Sequence, residues 1–252
     1  MKINETVLVA KDIEKVYEIG NNKVQALKGV TLSLYKGEIL AIIGSSGSGK
    51  STLLNILGAL DSPTNGEIIT NGKKIKNYHI EPYATRYRSE IIGFIFQNFN
   101  LLKDLTVEEN LALPLILKNY SKNEIKNKVE DIIKSLGLEG WGGHKPLELS
   151  GGQQQRVAIG RALITNPSVL LADEPTGNLD YNTSNEILEI IQRMKEKLKQ
   201  STIIVTHDPK VATYADRVVF IHDGRITDEY VKAGSKGCIE EILHKLQKIM
   251  EV

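Results

Sequence analysis

The stretch Gly44-Ser45-Ser46-Gly47-Ser48-Gly49-Lys50-Ser51 leaves this chain the least freedom. It follows the apolar run Ile39-Leu40-Ala41-Ile42-Ile43 and leads into Thr52-Leu53-Leu54-Asn55-Ile56-Leu57, so the order is strand, glycine-rich turn, helix. That is the pattern G-x-x-x-x-G-K-[ST] in the context that gives it meaning. Glycines let a backbone wrap a phosphate chain that side chains would hold off. The loop N–H groups and the helix N-terminus then face the anion. The expected cradle is Gly44, Ser45, Ser46, Gly47, Ser48, Gly49, Lys50, Ser51 and Thr52. Lys50 is placed to reach the β- and γ-phosphates, and the Ser51 hydroxyl to hold Mg²⁺. A flexible turn before an ordinary helix would account for the glycines, but not for strand, lysine, serine and helix together.

The remaining bounds are broad. A chain of 252 residues suits one large domain or a domain with a subdomain. Lys and Arg nearly balance Asp and Glu, leaving a net charge of +1, so overall charge implies neither nucleic acid nor an anionic membrane. With the single cysteine Cys238, no internal disulfide can form. The N-terminal Met1-Lys2-Ile3-Asn4-Glu5-Thr6 lacks the apolar core of a signal peptide. No apolar stretch nears the ~20 residues that span a bilayer. If the protein serves a membrane, another chain is expected to do the spanning.

Along the chain, 7–18 and 30–35 read as strands, and Asn71-Gly72 as the turn of a hairpin. Ile91 to Phe96, Val169 to Ala172 and Thr202 to Thr206 are apolar runs expected to be buried strands. Thr106-Val107-Glu108-Glu109 and Ser121-Lys122-Asn123-Glu124 each open a helix with a capping-box pattern. Residues 98–160 hold no strand signal and read as a helical insert. An amphipathic helix is expected over 182–199, a closing hairpin around Asp223-Gly224, and a last helix over 237–251. Strands alternating with helices predict an α/β fold, a parallel sheet covered on both faces.

A P-loop is shared by kinases, GTPases and helicases, so other motifs must discriminate. Val169-Leu170-Leu171-Ala172-Asp173-Glu174 places two carboxylates at the C-terminal edge of a buried strand, where open α/β sheets bind ligands. Asp173 is the candidate Mg²⁺ ligand, and Glu174 the candidate base for an attacking water. Leu149-Ser150-Gly151-Gly152-Gln153 opens a helix with a serine cap and two glycines, a second anion-binding helix start. One nucleotide cannot easily occupy both in one subunit, but a head-to-tail dimer could seat each nucleotide between two chains. Taken singly, Ser-Gly-Gly is as well explained as a plain capped helix. Gln97 is expected at a strand end, where its amide could reach Mg²⁺ or the water. His207 could contact the γ-phosphate, and Tyr17 could stack on a base. Each of these three alone has a structural explanation too: a capped strand end, a satisfied histidine, a core tyrosine.

In this order and spacing, the motifs resemble the nucleotide-binding subunits of ATP-binding cassette (ABC) transporters over roughly residues 5–230. Tyr17 matches the family's adenine-stacking position, Gly44 to Ser51 Walker A, Gln97 the Q-loop and Leu149 to Gln153 the signature motif. Val169 to Glu174 matches Walker B, Gly177-Asn178-Leu179-Asp180 the D-loop, and His207 the H-loop. The signature motif separates this family from other P-loop proteins. Two departures are Ser45, where proline is usual, and Gly160, where the signature helix usually has alanine, at about 1 kcal/mol of helix propensity.

The resemblance implies a P-loop NTPase with a RecA-like core, an antiparallel β subdomain and an inserted α-helical subdomain. The implied divisions are a core of 1–97 and 161–235, a helical subdomain of 98–160 and a C-terminal helix of 236–252. It further implies an ATPase using ATP and Mg²⁺, closing as an ATP-dependent homodimer beneath an integral membrane permease on the cytoplasmic face, with no nucleic acid. Glu174 takes the role of general base, and Asp180 that of a contact across the dimer. Phe94 to Leu102, Glu109 to Leu115 and Ala172 to Asp180 further resemble the subgroup serving macrolide export, lipoprotein release and antimicrobial-peptide resistance. The alternatives are an importer subunit or a soluble non-transport ATPase of the same family.

Overall fold

The structure is a computed structural model, and it describes residues 5–20, 22–232 and 238–250. Its strands are β1 (Thr6–Ile19), β2 (Asn22–Tyr35), β3 (Ile39–Ile43), β4 (Asn65–Thr70), β5 (Lys73–Lys74), β6 (Ile92–Ile95), β7 (Val169–Asp173), β8 (Ser201–Thr206), β9 (Arg217–His222) and β10 (Arg225–Val231). The α-helices are α1 (Lys50–Leu57), α2 (Tyr83–Ile91), α3 (Val107–Leu117), α4 (Lys122–Ser135), α5 (Gly151–Leu163), α6 (Tyr181–Leu198), α7 (Pro209–Ala212) and α8 (Ile239–Met250).

These strands form two sheets. One is antiparallel, in the order β2-β1-β4-β5, and closes through the expected Asn71-Gly72 turn, both residues at positive φ. The other runs β10-β9-β3-β8-β7-β6, parallel from β9 to β6, with β10 as an antiparallel edge. Strand alternation feeds two cores from β3. Ile39, Ala41 and Ile43 join a core with Leu111, Val157 and Ile187 of the helical layer. Leu40 and Ile42 join the other, with Leu53 and Leu54 of α1 and Leu8, Leu27 and Leu34 of the antiparallel sheet. Burial on both faces is why β3 reads as a continuous apolar run. Among the described residues, no helix is long and apolar enough to cross a membrane.

Several elements differ from expectation. β2 begins at Asn22, not at 30, because its first residues are exposed and carry no burial rhythm. Pairing with β1 holds them instead, with Tyr17 opposite Val24 and Glu18 opposite Lys23. The unforeseen α2 buries Ala84 and Tyr87, and the Tyr87 hydroxyl donates to the Leu57 carbonyl at the end of α1 (2.8 Å). Within 98–160 lie α3, α4 and most of α5, with both capping boxes formed at Thr106/Glu109 and Ser121/Glu124. Helix α5 continues through the expected division at 160, and Gly160 there lies against Leu111 and Leu136, with no room for a Cβ. Of the last helix expected over 237–251, α8 covers 239–250, and 237 and 251 lie outside the described residues. So do residues 1–4 of the N-terminal segment.

Candidate functional site

The sheet order explains how distant segments meet. β3, β8, β7 and β6 are neighbours, and their C-terminal ends fall in one row: Ile43 opposite Thr206, Val205 opposite Asp173, Ala172 opposite Ile95. Each strand releases its functional residues just past that row: the glycine loop after β3, His207 after β8, Glu174 after β7 and Gln97 after β6. A cleft of about 490 Å³ opens there. Its walls carry Ser46, Gly47, Gly49, Lys50, Ser51, Thr52, Gln97, Asp173, Glu174 and His207, together with Ala26 of β2.

Gly49 sits at φ 103°, and a Cβ there would lie 2.6 Å from the Ala26 carbonyl oxygen, so both conformation and space require glycine. Gly44, Ser45 and Ser48 belong to the loop but do not line the cleft. Gly44 packs on the Ile221 backbone, and the Ser48 hydroxyl is buried without a partner. Lys50 is buried, and its ammonium donates to the carbonyls of Gly44 (2.9 Å) and Ser45 (2.7 Å). Burial pushes the Lys50 pKa down, against the opposing pull of the Glu174 and Asp173 charges.

Facing the loop are the two carboxylates. The Ser51 hydroxyl lies 3.4 Å from Asp173 Oδ1. Burial, and then the Glu174 charge, raise the Asp173 pKa, while the Ser51 hydrogen bond and the Lys50 charge oppose them. Glu174 is held at φ 46°, a left-handed conformation uncommon outside glycine. Its carboxylate accepts from the Thr206 hydroxyl (3.1 Å) and the His207 N–H (2.9 Å), and lies 2.6 Å from His207 Nδ1. Gln97 leans on Gly177, while Asn178 donates to the Gln97 carbonyl (3.0 Å), tying the turn after β6 to the segment before α6.

The donor set suits a hard cation. Ser51 and Asp173 face one another across the cleft beside Gln97, and all three offer oxygen. Among the described residues, no group of three His, Cys, Asp or Glu could hold a metal alone. An ion here would take its other ligands from phosphate and water, as Mg²⁺ does.

Other expected site residues lie elsewhere. Tyr17 does not line the cleft but lies beside Thr52, which does, with its hydroxyl donating to Asp61 (2.7 Å). Leu149, Ser150, Gly151, Gly152, Gln153 and Asp180 form a separate cluster in which the starts of α5 and α6 meet. Ser150 caps α5 by accepting from Gln153 N–H (3.3 Å), and Gln153 Oε1 accepts from Ser150 N–H (2.9 Å). Asp180 caps α6 by accepting from Asn182 (3.0 Å) and Thr183 (3.1 Å). The Thr183 methyl rests on Gly152 while its hydroxyl donates to Asp180 (2.5 Å). Unforeseen are Ala26, in the exposed start of β2, and Thr206, which ends an apolar run and looked like core.

A family model described as ABC transporter matches residues 27–177. The chain is 49% identical over 203 residues to the ABC transporter ATP-binding protein YtrE of Bacillus subtilis, covering 81% of this chain and 87% of that one. It is 42% identical over 229 residues to the lipoprotein-releasing system ATP-binding protein LolD of Pseudoalteromonas translucida, covering 89% and 97%. A solved dimeric post-hydrolysis structure of the ATP-binding cassette MJ0796, bound to ADP and Pi, superposes with a TM-score of 0.82 at 41% identity, covering 90% of this chain and all of that one.

Proposed function

This chain belongs to the ABC transporter family as an ATP-binding, ATP-hydrolysing subunit, and we propose that it works as an ATP-driven clamp on a separate export-type membrane permease. The observation that carries this is the split between the two regions above. The cleft has the loop, the lysine and the carboxylates, while the second anion-binding helix start lies outside it. In a head-to-tail homodimer, the Ser150–Gly152 face of one copy would cover the cleft of the other, with Asp180 beside it. The dimeric cassette bound to ADP and Pi supports that arrangement.

In this mechanism Lys50 exchanges its loop carbonyls for the β- and γ-phosphates, and Tyr17 stacks on the adenine. Glu174, held by Thr206 and His207, takes the proton of the water that attacks the γ-phosphorus as the bond to the β-phosphate oxygen breaks. His207 steadies the γ-phosphate. Ser51, Asp173 and Gln97 would hold Mg²⁺, which supplies positive charge against the phosphates. Residues 98–160 act as the arm that moves on closure, against a core of 1–97 and 161–235, with α8 beyond it. The permease is expected to dock near Gln97 and the arm, with Phe99, Leu101 and Leu102 as candidate contacts. Leu102, Ile116 and Leu117 are exposed, and Ile116 lines a groove of about 910 Å³ between α3 and α4.

The test is Glu174→Gln, loaded with ATP and recovered from detergent-solubilised membranes. A dimer carrying a permease with few spans and a large extracytoplasmic domain is expected. A compact many-span permease would point to an importer, and a monomer at saturating ATP would end the clamp.

A further inference from the structure

We infer that Lys15 and Asp61 are positioning residues for the nucleotide base: together they lock the Tyr17 ring at the lip of the cleft and leave one face of it for stacking. The inference rests on the reading that Tyr17 stacks on the adenine, and adds what makes that ring a platform.

Three features carry it. First, Asp61 grips both partners at once. Its Oδ2 accepts from the Tyr17 hydroxyl at 2.7 Å, and its Oδ1 accepts from Lys15 Nζ at 2.6 Å and from Ser62 N–H at 2.7 Å. Lys15 is itself buried, at 8% exposure, and adds a bond to the Ser62 carbonyl (2.7 Å). A lysine this enclosed and doubly bonded is fixed, unlike an exposed pair that exchanges with solvent.

Second, the Lys15 ammonium lies 4.7 Å from the centroid of the Tyr17 ring. One face of the ring is therefore occupied by a cation. A base can approach only the opposite face, so the stacking side is chosen before nucleotide arrives. The ring's two rotations are fixed as well, one by the hydroxyl bond and one by the cation, which removes ordering that binding would otherwise have to impose.

Third, the anchor is mechanically continuous with the phosphate cradle. The backbone N–H groups of Leu60 and Asp61 donate to the Asn55 carbonyl in α1 (2.8 and 3.3 Å), the helix that begins at Lys50. Thr52, beside the Tyr17 hydroxyl, lines the cleft. The distance between base platform and phosphate loop is thus set by one rigid helix. An ion pair serving only to join β1 to the loop after α1 would need neither the tyrosine bond nor the ammonium over the ring.

The test compares ATP with inorganic tripolyphosphate, which has the phosphates and no base, using the full-length protein with Mg²⁺. Asp61→Ala is expected to raise KM for ATP about three- to tenfold, a part of the stacking contribution of a base on an aromatic ring. kcat should stay within about twofold, and inhibition by tripolyphosphate should be unchanged. Asp61→Asn, which still offers an acceptor oxygen, should recover much of the loss. Tyr17→Phe keeps the ring and loses the hydroxyl bond, so it should fall between wild type and Asp61→Ala, and it carries the test if Asp61→Ala does not fold.

Tyr17→Leu separates the two ideas. If it weakens ATP binding while Asp61→Ala and Tyr17→Phe do not, the ring needs no support and the inference fails alone. If Tyr17→Leu has no effect, the base does not sit on Tyr17, and the stacking reading falls together with the inference. If Asp61→Ala weakens ATP and tripolyphosphate equally, Asp61 holds α1 rather than the ring, which also overturns it.

Discussion

The P-loop cleft and the paired starts of α5 and α6 are the two regions proposed to hold phosphate, yet they are built differently. In the glycine loop and the cleft it leads to, groups are held in desolvated or strained positions. The Ser48 hydroxyl is buried without a partner, Glu174 is held in a left-handed conformation, and burial works against the charges of Lys50 and Asp173. At the helix starts the caps are satisfied, although Gln155 Oε1 and Asn185 Oδ1, one turn further in, are buried without a partner among the described residues. Ser150 and Gln153 cap each other, and Asp180 accepts from Asn182 and Thr183, whose hydrogen bonds draw its pKa below the usual carboxylate range. A region arranged for chemistry carries unmet demand that a ligand can satisfy. Caps that present a rigid face to a ligand held elsewhere carry no such demand.

The largest expected effect tests whether these are two halves of one site. Lys50→Ala should cut ATPase activity at least about 100-fold, the scale of losing one charged phosphate contact. Gly152→Asp should do the same by placing a negative side chain at the start of α5, where Gly152 already has Thr183 against it. Neither protein is active alone, but a mixture forms heterodimers with one doubly damaged site and one intact site. Recovery of activity on mixing is expected. No recovery, with dimers verified, would mean that each chain needs both of its own regions, and the comparison would collapse into one intramolecular site.

A smaller effect contrasts stability. In the apo protein, Asp173→Asn should raise Tm while ending Mg²⁺-supported turnover, whereas Asp180→Ala should lower Tm by removing a helix cap. The pH dependence has opposite signs. Asp173 has a folded pKa above its unfolded value, so its penalty is absent below the unfolded pKa and complete above the folded one. Asp180 has a folded pKa below its unfolded value, so its contribution is full above the unfolded pKa and is lost as pH falls through the folded one. Thermal melts of both variants against wild type, from acid to neutral pH, read the two signs directly. The same sign in both would erase the distinction between a frustrated and a satisfied region.

The two regions were also unequally legible in the sequence. The cleft could be read because each of its strands is buried on both faces, as β3 and β7 show, and so ends visibly where its apolar run stops. Asp173 and Glu174 stand out because charges follow Val169 to Ala172 without a gap. Ala26 did not, because the start of β2 is held by hairpin pairing with β1 and has no burial pattern to read. The capping boxes at Thr106 and Ser121 and the serine cap at Ser150 were readable because they are local, within four residues, and chemically distinctive. The contact of Thr183 with both Gly152 and Asp180 joins residues from two helices, and no spacing along the chain encodes it. Lys15 and Asp61 were hidden for the same reason: one lies within β1, the other follows α1, and only the tertiary fold gives them a common tyrosine.

The smallest effect concerns a second link between the helix-start cluster and the catalytic edge, besides the Asn178 bond to the Gln97 carbonyl. Tyr181 opens α6 directly after Asp180 and is 69% exposed, yet Lys210 Nζ sits 3.3 Å from its ring centroid. Lys210 belongs to α7, whose cap Asp208 immediately follows His207. A shift of the α6 start would therefore pull on α7 and reach the histidine beside Glu174. An exposed cation–π contact is weak, so Tyr181→Ala should lower kcat only about two- to fivefold, and Tyr181→Phe should restore it. Lys210→Met should lower kcat equally, and the double variant should be no worse than either single one, since the two residues act through one contact. Additive losses would show that α6 and α7 reach the site separately, leaving the Asn178–Gln97 link and the partner subunit as the routes from the helix starts to the catalytic edge.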